Sequence, residues 1–162
     1  MNLYLHELTH IIISLIVGLI IWKFSGNFYV ILIALMGGFF IDLDHLIDYF
    51  LAFGPKFNLA YFLKGYSFLK TDKIYVLFHS WELVFIFFVL TFQRSNVRTF
   101  QPILLSFSLS LFLHLIVDVL TNNMKPQSYF LYYRIRNKFE LKSLVTRDHY
   151  QKHLRNKKLI KF

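Results

Sequence analysis

The sequence predicts an all-α integral membrane protein: a bundle of about four transmembrane helices followed by a basic interfacial C-terminal segment. Three observations predict it. Apolar residues make up 56% of the 162-residue chain, and they gather into four long runs between residues 8 and 120. Each run approaches the ~20 residues a helix needs to cross a hydrocarbon core. The charge is unevenly divided: residues 1–123 hold seven basic and seven acidic residues, whereas residues 124–162 hold eleven basic and two acidic ones. The net charge of +9 therefore sits at the C-terminal end, as in a membrane protein that turns a cationic tail toward anionic lipid. Finally, His, Asp and Glu recur in every apolar run at one level. The chain has no cysteine, which excludes thiolate metal sites, cysteine nucleophiles and disulfide-stapled scaffolds.

The first span is predicted over residues 5–24. It lacks the basic leading region of a signal peptide and carries histidines and a glutamate, so it reads as a retained helix. Ser25-Gly26-Asn27 forms a tight turn into a second span over 28–51, which ends in the polar sequence DLDHLIDYF. The 52–73 loop, rich in Phe, Tyr and Lys, has a composition suited to a headgroup interface. The third span is predicted over 74–92, and a short polar connection leads to the fourth over 102–121, where Pro102 is tolerated in the first helical turn. The chain thus divides into a four-helix transmembrane domain, 1–123, and a basic, aromatic tail, 124–162. The tail is expected to be interfacial and partly helical, with His149 and His153 solvated.

Orientation follows from Lys and Arg. With four spans, Lys56, Lys64, Lys70, Lys73 and the tail share one side, and Lys23, Arg94 and Arg98 occupy the other. The positive-inside rule places both termini in the cytoplasm of a multi-pass inner-membrane protein. The partners implied are the bilayer and its anionic headgroups. Nucleic acid is the other polyanion, but no recognition module accompanies the tail.

Ionisable groups inside membrane spans are costly and mark functional sites by default. The first span has His6, Glu7 and His10, and the second Asp42, Asp44, His45 and Asp48. The third has His79 and Glu82, and the fourth His114 and Asp118. At a rise of about 1.5 Å per residue, each set lies about 18–21 Å from the opposite end of its span. Although the spans alternate in direction, all four sets fall at the same depth. The spacings suit single helix faces: His6/His10 and His114/Asp118 are i,i+4, whereas Asp42/His45 and His79/Glu82 are i,i+3. Asp44 points about 200° round from Asp42 on a regular helix. Gly37-Gly38 allows a distortion or a close helix contact there.

Imidazoles and carboxylates without thiolate suit a divalent metal, Zn²⁺ first, with Mn²⁺ or Fe²⁺ as alternatives. The expected ligands are His10, Asp42, His45, His79, His114 and Asp118. Glu82 or Asp44 is expected to act as general base or to orient a ligand histidine. Because the site lies at headgroup depth, the expected reaction is hydrolysis of a phosphoester or phospholipid by metal-activated water.

These residues resemble the membrane-bound metal-dependent hydrolases, of which LexA-regulated bacterial inner-membrane proteins are examples. The matching motifs are Thr9-His10, then GGFFIDLDH with Asp42, Asp44 and His45, then His79-Ser80, then HLIVDVLT with His114 and Asp118. They run in order over residues 9–121. The resemblance implies a membrane fold and a metal site. Two positions depart from the family pattern: Ile41 stands where proline is usual, and Ile74-Tyr75 replace a His-Arg. The second departure removes one ligand the family carries, for which Glu82 is the candidate substitute.

Two other readings use the same residues. His6-Glu7-Leu8-Thr9-His10 satisfies H-E-x-x-H, the zinc-protease signature, as in intramembrane site-2-type metalloproteases. The Asn-Pro-Asp-Gly type motif of those enzymes is absent from the sequence. An ion or metal transporter would need polar groups through the other half of the bundle, where the sequence offers only Ser14, Thr91, Ser106, Ser108 and Ser110.

Overall fold

A computed structural model describes residues 3–93 and 100–160 of the chain. Among them every regular element is helical. Packing divides the chain into two units that alternate along the sequence, one of residues 1–42 and 79–121 and the other of 43–78 and 122–162. The boundaries differ from the single division at residue 123 read from the charge distribution.

The first unit is a helix bundle. Helix α1 spans Leu3–Ser25 and α2 spans Tyr29–Gly38, joined by a turn in which Gly26 has a φ of +66°. Successive contacts between pairs of helices fix the helix directions. His6 with Thr121, His10 with Asp118 and Ser14 with Ser110 (both beside Gly38) set α1 antiparallel to the helix Phe100–Thr121. Ser106 Oγ donates to the Val30 carbonyl at 2.6 Å, and His114 Nδ1 donates to that of Gly38 at 2.9 Å, so α2 runs parallel to Phe100–Thr121. Trp81–Phe92 is antiparallel to it, because His79 meets His114, Trp81 meets Phe112 and Phe87 meets Phe107.

Small residues set the spacing of this bundle. A Cβ on Gly37 would stand 2.6 Å from the Phe107 carbonyl oxygen, and one on Gly38 would collide with Ser14 Oγ. Val17, Ile21, Val30, Ile31 and Ala34 fill the core beside these contacts. The outer faces stay apolar: Leu8, Ile12, Ile16, Leu19 and Ile20 are exposed on α1, as are Phe85, Ile86, Phe88, Val89 and Phe92 on Trp81–Phe92. Exposed apolar area of this extent marks a surface for membrane or partner.

Two helices, Tyr4–Ser25 and Phe100–Thr121, are long and apolar enough to cross a membrane, and the bent pair Tyr29–Gly38 and Phe40–Phe53, kinked by 49°, makes a third candidate. The 74–92 segment differs from expectation. Its helix covers Trp81–Phe92 only, 12 residues, or about 18 Å against a core of about 30 Å. Ser80 caps that helix by accepting the Leu83 N–H at 3.4 Å. Residues 75–78 are not helical, and the N–H groups of Tyr75, Val76 and Phe78 go to the carboxylates of Asp48 and Asp44. Arg94 and Arg98, used in the orientation argument, lie outside the described residues.

The second unit begins in a 3-10 turn, Phe40–Asp44, which runs into α3, His45–Phe53. Two short helices follow, α4 at Leu59–Leu63 and α5 at Tyr66–Thr71, so the 52–73 loop carries regular structure. Tyr49 organises its start, its hydroxyl donating to the Lys56 carbonyl at 3.2 Å and accepting the Asn58 N–H at 2.7 Å. Trp81–Phe92 and Phe100–Thr121 are α6 and α7. A second 3-10 turn, Pro126–Tyr129, leads to α8, Leu131–Arg136, α9, Leu141–Leu144, and α10, Arg147–Leu159.

The tail does not stand apart as its charge suggested. Leu141, Leu144 and Val145 bury against Ile74 and Val76, while Ile74 N–H donates to the Phe139 carbonyl and Leu141 N–H to that of Asp72. His153, expected to be solvated, is buried and pairs with Asp72 at 2.7 Å. Lys157 completes that clamp on the other carboxylate oxygen. His149 is half-buried, and burial, with His153 and Lys152 nearby, lowers its pKa below the ordinary imidazole range.

Candidate metal centre

The helix directions bring the polar ends of the first unit together. His6 and His10 lie one turn apart near the start of α1, and His114 and Asp118 one turn apart near the end of α7. Asp42 follows the end of α2, and His79 precedes α6 by two residues. These four histidines and two aspartates form one cluster at one end of the bundle.

The distances are those of a ligand set. His6 Nε2 and His10 Nε2 lie 3.1 and 3.4 Å from Asp118 Oδ1, and 3.0 Å from each other. His114 Nε2 lies 3.6 Å from Asp118 Oδ2 and 3.7 Å from Asp42 Oδ1, which is itself 3.0 Å from His79 Nε2. The His10 and His114 rings stack at 3.9 Å. Within the first unit, three overlapping groups each have their ligand atoms within 4.8 Å of one another: His6, His10 and Asp118; His10, Asp42 and His114; His79, His114 and Asp118. The His10 and His114 side chains are fully buried, whereas that of Asp42 is 20% exposed and that of His6 14%. The cluster therefore meets its surroundings on the Asp42 and His6 sides.

Hydrogen bonds fix two of the rings. Because His114 Nδ1–H is committed to the Gly38 carbonyl, Nε2 carries a lone pair. That lone pair faces two carboxylates and has no hydrogen-bond partner. Thr121 Oγ1 gives its one hydrogen to the Val117 carbonyl at 2.8 Å, so at 3.3 Å it accepts from His6 Nδ1–H, and His6 Nε2 also presents a lone pair. At His114 an acceptor thus faces carboxylate oxygens in a buried place. Helices α2, α6 and α7 contain no Lys or Arg, and α1 has only Lys23 at its far end. Each added proton relieves one such contact, whereas a divalent cation relieves several at once. The donor set of imidazole nitrogens and carboxylate oxygens fits Zn²⁺, Mn²⁺ or Fe²⁺.

The remaining sequence-derived residues lie on other elements. His45 opens α3 in the second unit, with its ring edge-on to Phe68 at 5.8 Å. Asp44 accepts the Phe78 N–H at 2.8 Å, and Asp48 accepts those of Tyr75 and Val76 at 2.7 and 3.0 Å. Arg134, wholly buried, donates to the Tyr75 and Val76 carbonyls from the other side. Val76 is held at a φ of +21°, a costly conformation for a β-branched residue. These three side chains thus tie down the segment that ends one residue before His79. Glu82 lies in the first turn of α6, where a carboxylate suits the positive helix end. It belongs to none of the three ligand groups.

Sequence reasoning placed His6 at the depth of the cluster and in the protease signature but not among the expected ligands, and gave Thr121 and Arg134 no role. The i,i+4 spacing of His6 and His10 was the available signal for the first. No family model, curated protein or solved structure matches this chain.

Proposed function

We propose that this chain is a membrane-embedded metal-dependent hydrolase acting on a phosphoester, with phospholipid headgroups as the substrate class that lies at the depth of the site. The reading takes up the resemblance to membrane-bound metal-dependent hydrolases. It places four apolar segments in the inner membrane, with α6 as a short span, and sets both termini in the cytoplasm. Basic residues of the tail then face anionic headgroups.

The observation that carries the proposal is His114. Its tautomer is fixed by Gly38, and its Nε2 lone pair is aimed between Asp42 and Asp118. A bound divalent ion would polarise a phosphoryl oxygen and acidify a water. His10, His79, His114, Asp42 and Asp118 would hold it, while the bundle excludes bulk water from His10 and His114. Asp42, on the more exposed side, would be the ligand nearest an incoming substrate.

Activity tests the proposal. Protein in mild detergent should hydrolyse phosphodiesters presented in mixed micelles, lose that activity to a chelator and regain it with Zn²⁺ or Mn²⁺. Asp42→Asn, which removes a ligand charge, should cost about 10²-fold. Chelator-resistant hydrolysis, or none with any divalent metal on any phosphodiester, would contradict it.

One arrangement favours a second reading. His6, His10 and Asp118 make a two-histidine, one-carboxylate set on an H-E-x-x-H helix, with Glu7 as the base of a metalloprotease. Cleavage of a membrane peptide that is lost in Glu7→Gln and kept in His79→Ala would select it.

A further inference from the structure

We infer that the cluster holds two metal ions rather than one, with His6 and His10 building a second ion position that shares Asp118 with the first. The inference rests on the proposed metal centre and extends it. Asp118 is the pivot: its Oδ1 faces His6 and His10, and its Oδ2 faces His114. A carboxylate with its two oxygens turned toward different imidazole groups has the geometry of a bridging ligand. His79 and Asp42 lie on the His114 side of that bridge.

His6 cannot be dismissed as an incidental polar group. Thr121 accepts from its Nδ1–H, and this bond aims the Nε2 lone pair at Asp118. The device is the one by which metal-binding histidines are commonly oriented, through a hydrogen bond from the ring nitrogen that does not bind. His6 Nε2, His10 Nε2 and Asp118 Oδ1 lie within 3.4 Å of one another, and Asp118 Oδ1 is buried without a hydrogen-bond partner. Two imidazole nitrogens already crowd one oxygen of Asp118, and that of His114 faces the other. Four imidazoles and two carboxylates also exceed the usual four ligands of one Zn²⁺. In two-metal hydrolases the ions lie about 3.5–4 Å apart and act together on one phosphoryl group.

Metal counting on detergent-purified protein tests this. The wild type should carry two first-row divalent ions per chain, His6→Ala one, and Asp118→Ala no more than one. Loaded with Mn²⁺, the wild type should give the spectrum of a spin-coupled pair, and His6→Ala that of an isolated ion. Thr121→Val keeps every ligand and should fold as the wild type does. It should weaken the second ion about 10- to 100-fold in a chelator titration, as loss of an orienting hydrogen bond does elsewhere. One ion in the wild type, uncoupled Mn²⁺, or full retention in both His6→Ala and Thr121→Val would overturn the two-ion inference while leaving a one-ion hydrolase standing. A wild type that takes up no metal would overturn both.

Discussion

At Gly37 an added methyl group would meet the Phe107 carbonyl oxygen at 2.6 Å, a backbone atom with nowhere to go. At Gly38 the atom met first is the Ser14 hydroxyl, which can rotate aside. Gly37→Ala should therefore destabilise the bundle by about 1–3 kcal/mol, the range for an overpacked core, and Gly38→Ala by less. Thermal unfolding in detergent reads the difference, and equal midpoints for both variants would refute it. Single residues were legible in the sequence to the extent that their chemistry is rare in an apolar helix. His10, Asp42, His79, His114 and Asp118 stood out because a membrane span does not carry such groups idly. His6 was equally visible, but a local motif absorbed it. Only the fold shows that its partner Asp118 lies 112 positions away and that Thr121 orients its ring. His153 was read as solvated because its neighbours are Lys and Arg, and nothing local announces that Asp72 waits for it.

At the scale of elements, the expected spans at 5–24 and 102–121 are helices of nearly those bounds, since an unbroken apolar run has few other ways to satisfy its backbone. The other two depart for local reasons. The second breaks after Gly38 with Ile41, not a proline, ahead of Asp42: two glycines end α2, the Phe39 N–H closes on the Leu35 carbonyl, and a 3-10 turn follows. The third starts late because Asp44 and Asp48 capture the N–H groups of residues 75, 76 and 78. Such long-range captures leave no periodic trace. The docking of α10 makes a prediction of its own. Burial would raise the Asp72 pKa, but hydrogen bonds from Lys157 and His153 outweigh it and hold the carboxyl below its ordinary range. A carboxyl lowered on folding stabilises at pH above its unfolded value, about 3.9, and that contribution fades as the pH falls through the lower, folded value. Hydrogen-exchange protection of α10 should thus show no Asp72-dependent change from neutral pH down to about pH 5. Asp72→Asn should reduce it about two- to fivefold at neutral pH, the range of an exposed pair. Unchanged protection in that variant would remove the clamp from the account.

For the whole molecule, composition carried the fold class, and charge distribution carried only part of the organisation. The basic tail is not a detached cationic arm, because Leu141, Leu144, Val145 and Tyr129 supply a core that an average over charges conceals. In the first unit, the polar end of an otherwise apolar bundle brings imidazoles to carboxylates, with no Lys or Arg on α2, α6 or α7. The metal content of the purified protein tests that claim most directly. After growth in metal-supplemented medium and purification in mild detergent, the wild type should retain at least one first-row divalent ion per chain. His149→Ala, altered outside the cluster, should retain the same amount, and His114→Ala should lose most of it. A metal-free wild type, or a His114→Ala variant as well loaded as the wild type, would contradict the account.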